Sequence, residues 1–294
     1  MCIWGADIAP ARARCVWAQV ETSEFEREGD SEYFGITADS VARFRTGFEQ
    51  PIDLAGGGWM VGGAFGYDDL GHNFVDGGRA VFSGDGFHGG LGLRRMTADG
   101  AQVGVSVSAG WQANETVRLS NIFRPLQGES NNDTGYLRMD AEVARLFGAG
   151  GFYLRPALRG SVTALHRDGF VEEGMAGLGV EGYADTDVIG TLNPEIAFGF
   201  RSEYGEASSA TAAITLGGVF HSDDQLIAPM RLLGSNPDAL PAYIATPFDD
   251  QALRAGADIR FESDTGLSLR LSYVGEFGDK VESHTAGVNF HVKF

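Results

Sequence analysis

The sequence predicts an all-β fold, a transmembrane antiparallel up-and-down β-barrel of about twelve strands, and three observations predict it. Segment after segment alternates apolar and polar residues with the period of a strand. Long polar connections alternate with short turns. The final stretch is strictly amphipathic: Ala286, Val288, Phe290, Val292 and Phe294 share one face, and Thr285, Gly287, Asn289, His291 and Lys293 the other. When many strands repeat that pattern, lipid outside and water inside is the arrangement it fits.

The elements follow in order. A short lead covers residues 1–13. Residues 15–24 read as the first strand, followed by an acidic loop at 25–39. Ala42, Phe44, Thr46 and Phe48 oppose Arg43, Arg45 and Gly47, and a turn covers 51–58. Trp59, Val61, Gly63, Phe65 and Tyr67 form the next apolar face, followed by a Gly-rich loop at 68–83. Phe87, Gly89, Leu91 and Leu93 oppose His88, Gly90, Gly92 and Arg94. Asp99-Gly100 supplies hairpin chemistry. Val103, Val105, Val107, Ala109 and Trp111 then form the cleanest apolar face, ahead of a polar loop at 114–133.

Leu137, Met139, Ala141 and Val143 oppose Arg138, Asp140 and Glu142, and a Gly-rich turn covers 148–151. Phe152, Leu154, Leu158 and Val162 oppose Tyr153, Arg155, Arg159 and Thr163, and a loop spans roughly 167–175. Residues 176–203 read as one long bent strand, although Pro194 removes a ladder bond there. Ala212 to Phe220 continues the alternation, and a proline-rich loop covers 222–249. Leu253, Ala255, Ala257, Ile259 and Phe261 oppose Arg254, Asp258, Arg260 and Glu262. After a turn at 264–266, Leu267, Leu269, Leu271 and Tyr273 oppose Ser268, Arg270 and Ser272, and the last strand closes the set. An even count puts both termini on the short-turn side, the periplasm, and the long loops outside.

Composition agrees. The 294 residues include 43 Gly, 9 Pro, 20 Phe and 8 Tyr, which suits many strands with close backbone approaches. A mean hydropathy of −0.10 does not argue against a membrane, because alternating strands carry a weak hydropathy signal. No apolar run approaches the roughly 20 residues of a membrane helix. A net charge of −18 excludes nucleic acid as a partner. The acidic residues, as at 21–30, read as solvated loops. Two cysteines exclude a disulfide framework, and Cys2 and Cys15 lack metal-site spacing. The first residues show no secretory leader, which an outer-membrane protein needs. The expectation is an upstream start or the excised end of a longer chain.

With apolar faces outward, the lumen carries Arg43, Arg45, Arg94, Arg138, Arg155, Arg159, Arg201, Arg254, Arg260 and Arg270. Asp140, Glu142, Asp258 and Glu262 share it, and mixed signs at short range can pair. Trp17, Trp59, Tyr67, Trp111 and Tyr273 are candidates for an interfacial girdle, and Tyr153 should point inward.

Three stretches carry a resemblance. The first is Leu154 and Pro156 followed by Asp168-Gly169-Phe170-Val171-Glu172. The second is Tyr273-Val274-Gly275-Glu276-Phe277-Gly278-Asp279. The third is the last strand, with Thr285, Gly287, Phe290, Val292 and Phe294. In this order they resemble the C-terminal translocator, or β-domain, of bacterial autotransporters, the type V secretion proteins. The resemblance covers about 14–294 and departs at Ala157, where family members often have an aromatic. It implies an outer-membrane barrel of a Gram-negative bacterium that anchors an N-terminal passenger and helps export it to the cell surface. It further implies that the last strand is read by the barrel-assembly machinery and that a linker helix occupies the lumen. Residues 1–13 would give roughly 20 Å of helix, short of a bilayer's roughly 30 Å, so they read as the remnant of a linker helix or passenger junction. The implied partners are outer-membrane lipid and lipopolysaccharide, the assembly machinery and a passenger outside this chain, with the barrel itself a monomer. No cofactor or metal is implied.

The rivals are a passive pore or orphan barrel, and an outer-membrane hydrolase. For the hydrolase, Ser161 and His166 fall on opposite faces of one strand, and no Gly-x-Ser-x-Gly elbow is present. His72, His88, His221, His284 and His291 show no metal-site spacing.

Overall fold

The computed structural model describes residues 14–27, 39–54, 57–75, 80–120, 125–175, 177–204, 208–236 and 240–294. The lead at 1–13 and its reading as a linker remnant lie outside them. Twelve strands form the wall: β1 (Cys15–Arg27), β2 (Asp39–Ile52), β3 (Trp59–Val75), β4 (Ala80–Met96), β5 (Ala101–Ser120), β6 (Leu126–Arg145), β8 (Phe152–Arg167), β11 (Asp185–Tyr204), β12 (Ser208–His221), β15 (Gln251–Glu262), β16 (Leu267–Phe277) and β17 (Val281–Lys293). β7 (Phe147–Ala149) is a short piece on the start of β8. Each wall strand pairs antiparallel with its neighbour. The ring closes where β17 meets β1, with Val16 opposite Val292 and Ala18 opposite Phe290. Closure leaves the wall without a free edge, as a bilayer requires.

The faces sort by parity. Val105 is 57% exposed, Leu91 63% and Met139 60%, all on the outer surface. Burial of apolar area gains about 25 cal/mol per Å², so a wall this apolar in water would forgo a large stabilisation. In hydrocarbon it forgoes none. The apolar outer run of β5, from Val103 to Trp111, has the length of a tilted membrane strand, about 9–11 residues.

Several connections differ from expectation. The polar stretch at 114–133 is mostly strand, since β5 and β6 pair without interruption out to Ser120 and Leu126. The 68–83 stretch likewise belongs largely to β3 and β4. Both stay extended above the membrane because backbone pairing needs no apolar outer face. Residues 176–203 are not one bent strand. β10 (Val180–Gly182) pairs in a separate sheet, and only β11 pairs in the wall. Pro194 sits inside β11, where pairing with β12 lapses between Leu192 and Glu195. The stretch at 222–249 contains β13 (Gln225–Leu232) and β14 (Ala242–Pro247). With β9 (Phe170–Val171) these strands form a second sheet, in the order β14-β13-β10-β9. The acidic stretch at 21–30 is partly strand as well, since β1 runs to Arg27. Cys15 is buried and disulfide-bonded, a single bridge and not a framework.

Candidate functional site

The polar interior is the candidate site. On β2, Arg43 and Arg45 alternate with outward Phe44 and Thr46, so both reach inward. Arg43 meets Glu21 at 3.2 Å and Asp68 at 3.5 Å. Arg45 meets Glu21 at 3.8 Å and donates to His88 Nε2 at 3.2 Å, while the His88 Nδ1 edge lies 3.1 Å from Asp68. Lower on the wall, Arg94 pairs with Glu49. Arg138 pairs with Asp140 at 2.7 Å along β6.

The densest group lies on β6, β8 and β11. Glu142 contacts both Arg155 and Arg159, and Glu195 lies 3.6 and 3.2 Å from the same two guanidiniums. Across a cavity of about 120 Å³, Arg270 pairs with Asp258 at 2.9 Å and Arg254 with Glu276. Near the short-turn end, Glu262 binds Lys293 and lies 3.4 Å from Arg260. Arg201 lies 3.8 Å from Glu203. The wall thus largely neutralises its own charge.

The acidic halves were less legible than the arginines. Glu21 lies in the first predicted strand but also counts with the acidic stretch at 21–30, Asp68 falls in an apparent loop, and Glu195 sits beside a proline that blurs the strand's parity. His166 is turned from Ser161 and bonds Thr186 Oγ1 at 2.8 Å. The His72 side chain lies outside the description. Among the described residues, no group of three or more His, Cys, Asp or Glu converges as for a metal ion.

The aromatic candidates divide. Trp59, Tyr67, Trp111 and Tyr273 lie on the outer parity, and Tyr67 packs on Phe87 at 5.2 Å. Tyr153 is inward and buried. Trp17 is a correction: it is also inward, only 7% exposed, because its ring lies over Gly47, where a Cβ would sit 2.6 Å from the indole.

The motif residues have local explanations. Pro156 falls just past the end of the β6 ladder, which stops at Ala144 opposite Ala157, so its missing N–H removes no β6 bond. Gly169 and Phe170 lead into β9, and the Phe170 ring covers Gly182. Glu172 is buried and accepts two bonds from Arg118, at 2.8 and 2.5 Å, and one from the Val180 N–H at 3.1 Å. That carboxylate holds the Arg118 pKa above its ordinary value. Tyr273 bonds His284 Nδ1 at 2.8 Å. Gly275 lies under the Phe277 ring.

Asp249 has no local sequence signal, yet it explains the rest of that motif. Its carboxylate accepts from the backbone N–H groups of Asp279, Lys280 and Val281 at 2.8, 2.9 and 2.8 Å. A Cβ on Gly278 would lie 1.9 Å from the same carboxylate. Phe290 and Val292 on β17, and Phe294 just after it, are exposed on the outer face. Gly287 faces inward, as does Thr285, whose hydroxyl lies 2.9 Å from Ser23 Oγ.

The family model described as Autotransporter beta-domain matches residues 16–288. Among solved structures, the translocator domain of autotransporter NalP from Neisseria meningitidis aligns over 96% of this chain and 88% of its own, at 16% identity and a TM-score of 0.67. The beta domain of the Bordetella autotransporter BrkA aligns over 96% and 100%, at 16% identity and a TM-score of 0.70. The transport unit of AIDA-I from Escherichia coli aligns over 99% and 93%, at 10% identity and a TM-score of 0.60. At these identities the likeness is one of fold. Compared with curated proteins, the sequence finds no match.

Proposed function

The chain belongs to the autotransporter β-domain family, the outer-membrane barrels through which passengers are exported in type V secretion, and from that premise we propose how its parts serve export. The charged inner wall is the surface a passenger polypeptide meets. The observation that carries this is the pairing of Glu142 and Glu195 with Arg155 and Arg159, which holds the wall's charges in place without a counter-charge from the cargo. A transiting segment therefore slides along fixed, neutralised polar groups. A helix of roughly 10–12 Å across is the largest folded unit such a barrel admits.

Residues 14–294 form the membrane-anchored translocator, and the passenger joins at residues 1–13. Phe290, Val292 and Phe294 present the face that the barrel-assembly machinery reads, while Thr285 and Gly287 keep the closing seam at β1 narrow. The outer aromatics sit at lipid headgroups, including lipopolysaccharide. The barrel acts as a monomer, binds no nucleic acid and catalyses no reaction. The test is site-specific crosslinking. A cysteine replacing Thr215 in the cavity wall should form a disulfide with a cysteine in a passenger stalled during export. Crosslinks only from outer-face positions would refute passage through the lumen.

A further inference from the structure

At the short-turn end of the inner wall, β16, β17, β1 and β2 meet around Cys15. Its parity is inward, since neighbouring Val16 is exposed on the outer face, and its side chain is only 1% exposed. It packs against Trp17 and lies opposite Lys293 on β17 and Glu49 on β2. The chain enters the wall here, where the Phe294 N–H donates to the Arg14 carbonyl at 3.0 Å. Beside this entry, three inward polar side chains are buried: Ser268 at 0% exposure, His291 at 3% and Asn289 at 8%. Ser268 Oγ, His291 Nδ1 and Asn289 Oδ1 have no hydrogen-bond partner among the described residues. In register, Ser268 and Trp17 flank His291, and Arg270 and Gln19 flank Asn289.

These atoms call for both kinds of hydrogen bond. The Asn289 carbonyl accepts, and the Ser268 hydroxyl donates or accepts. An anion does not satisfy a carbonyl oxygen, and Arg270 opposite Asn289, with Arg260 opposite Arg270, disfavours a cation. A peptide backbone carries one donor and one acceptor per residue, so it fits. Cys15 identifies the peptide. It is disulfide-bonded, and the sequence holds two cysteines, so its partner is Cys2. A disulfide holds its two Cα atoms roughly 4.4–6.8 Å apart. A straight helix from Cys2 to Cys15 would separate them by roughly 20 Å. The bridged segment must therefore turn back on itself. Each arm, about six residues at roughly 3.3 Å apiece, reaches roughly 20 Å, short of the roughly 30 Å of a bilayer core.

We infer that the buried polar cradle of Ser268, Asn289 and His291 is the docking site of this chain's own residues 1–13, fixed there by a Cys2–Cys15 bridge that folds the segment back at the periplasmic mouth. This goes beyond passenger export, because it sets where the polypeptide ahead of the barrel leaves the wall. A covalent tie beside the β1–β17 seam does this, with no helix spanning the lumen. Forming the bridge takes two electrons and two protons from the thiols. The disulfide of a periplasmic thiol oxidant accepts them and becomes a dithiol.

The test uses the whole chain refolded in detergent with oxidised glutathione. Digestion without reductant should yield one disulfide-linked pair joining the Cys2 and Cys15 peptides. Free thiols in the folded barrel, or a bridge only between two chains, overturn the inference. Docking is read from the rate of trypsin cleavage after Arg12. That rate follows the population of the opened segment, so Cys2→Ser should raise it roughly tenfold and Asn289→Ala, with the bridge intact, roughly threefold. Heat-modifiable migration confirms that the wall is folded in each. If Asn289→Ala does not fold, Ser268→Ala is read in its place with the same expectation. Equal rates in the unchanged chain and Cys2→Ser overturn the docking. So does an unchanged rate in a cradle variant that is folded and bridged.

Discussion

Glu142 and Glu195 share two arginines, and that sharing predicts non-additive loss. The side chains of Glu142, Glu195 and Arg155 are 8%, 7% and 7% exposed. For the 3.2 Å contact of Arg159 with Glu195, Coulomb attraction at an effective dielectric of about 20 is about 5 kcal/mol. Desolvation takes back most of it. Replacing Glu142 by Gln leaves both guanidiniums beside Glu195, so the loss should be about 1.5–3 kcal/mol, the net worth of a charged hydrogen bond. Glu195→Gln should behave alike. The double variant strips both arginines of both carboxylates and should cost more than the sum, by at least about 1 kcal/mol. The assay is urea unfolding of the barrel refolded in phospholipid vesicles, followed by the heat-modifiable band and tryptophan fluorescence. A double-variant loss within about 0.5 kcal/mol of additivity would refute the shared-pair reasoning.

Other outcomes follow from the same geometry. Gly278→Ala must displace the Asp249 carboxylate, so protease added outside should cut the 222–249 region faster while the wall stays heat-modifiable. Unchanged cutting would sink the Asp249 account. Val105→Lys, on the lipid face, should cost about 2–4 kcal/mol near the midplane, and Ser106→Lys, on the lumen face, far less. Equal costs in vesicle unfolding would contradict the assigned parity. Deleting Phe294 should lower the folded fraction recovered in outer membranes, and full recovery would show that the terminal aromatic is not needed for assembly.

The membrane part of the wall was legible because its physics is local. On β5, Val103 to Trp111 had to alternate, since one face meets lipid and the other water. Above the membrane that constraint lapses. Residues 114–120 and 126–133 pair through backbone bonds with no apolar stripe, so they read as loop. The second sheet was illegible for a related reason. β10 and β13 are short, and Glu172 and Asp249 stabilise them through distant partners, Arg118 and the backbone of 279–281. Trp17 looked like a girdle residue because its type suits an interface. Only the register that sets it over Gly47 turns it inward. The arginines of the lumen were easy to place by parity, whereas their partners Asp68 and Glu195 required the correct strand limits.

Export of an N-terminal polypeptide is the central claim, and surface display measures it most directly. A secretory leader and a small epitope-tagged reporter would be placed ahead of residue 1 and expressed in Gram-negative cells. Export predicts that protease added to intact cells removes the epitope while the barrel remains folded in the outer membrane. An epitope that stays protected until the outer membrane is broken, with the barrel folded, would contradict the account.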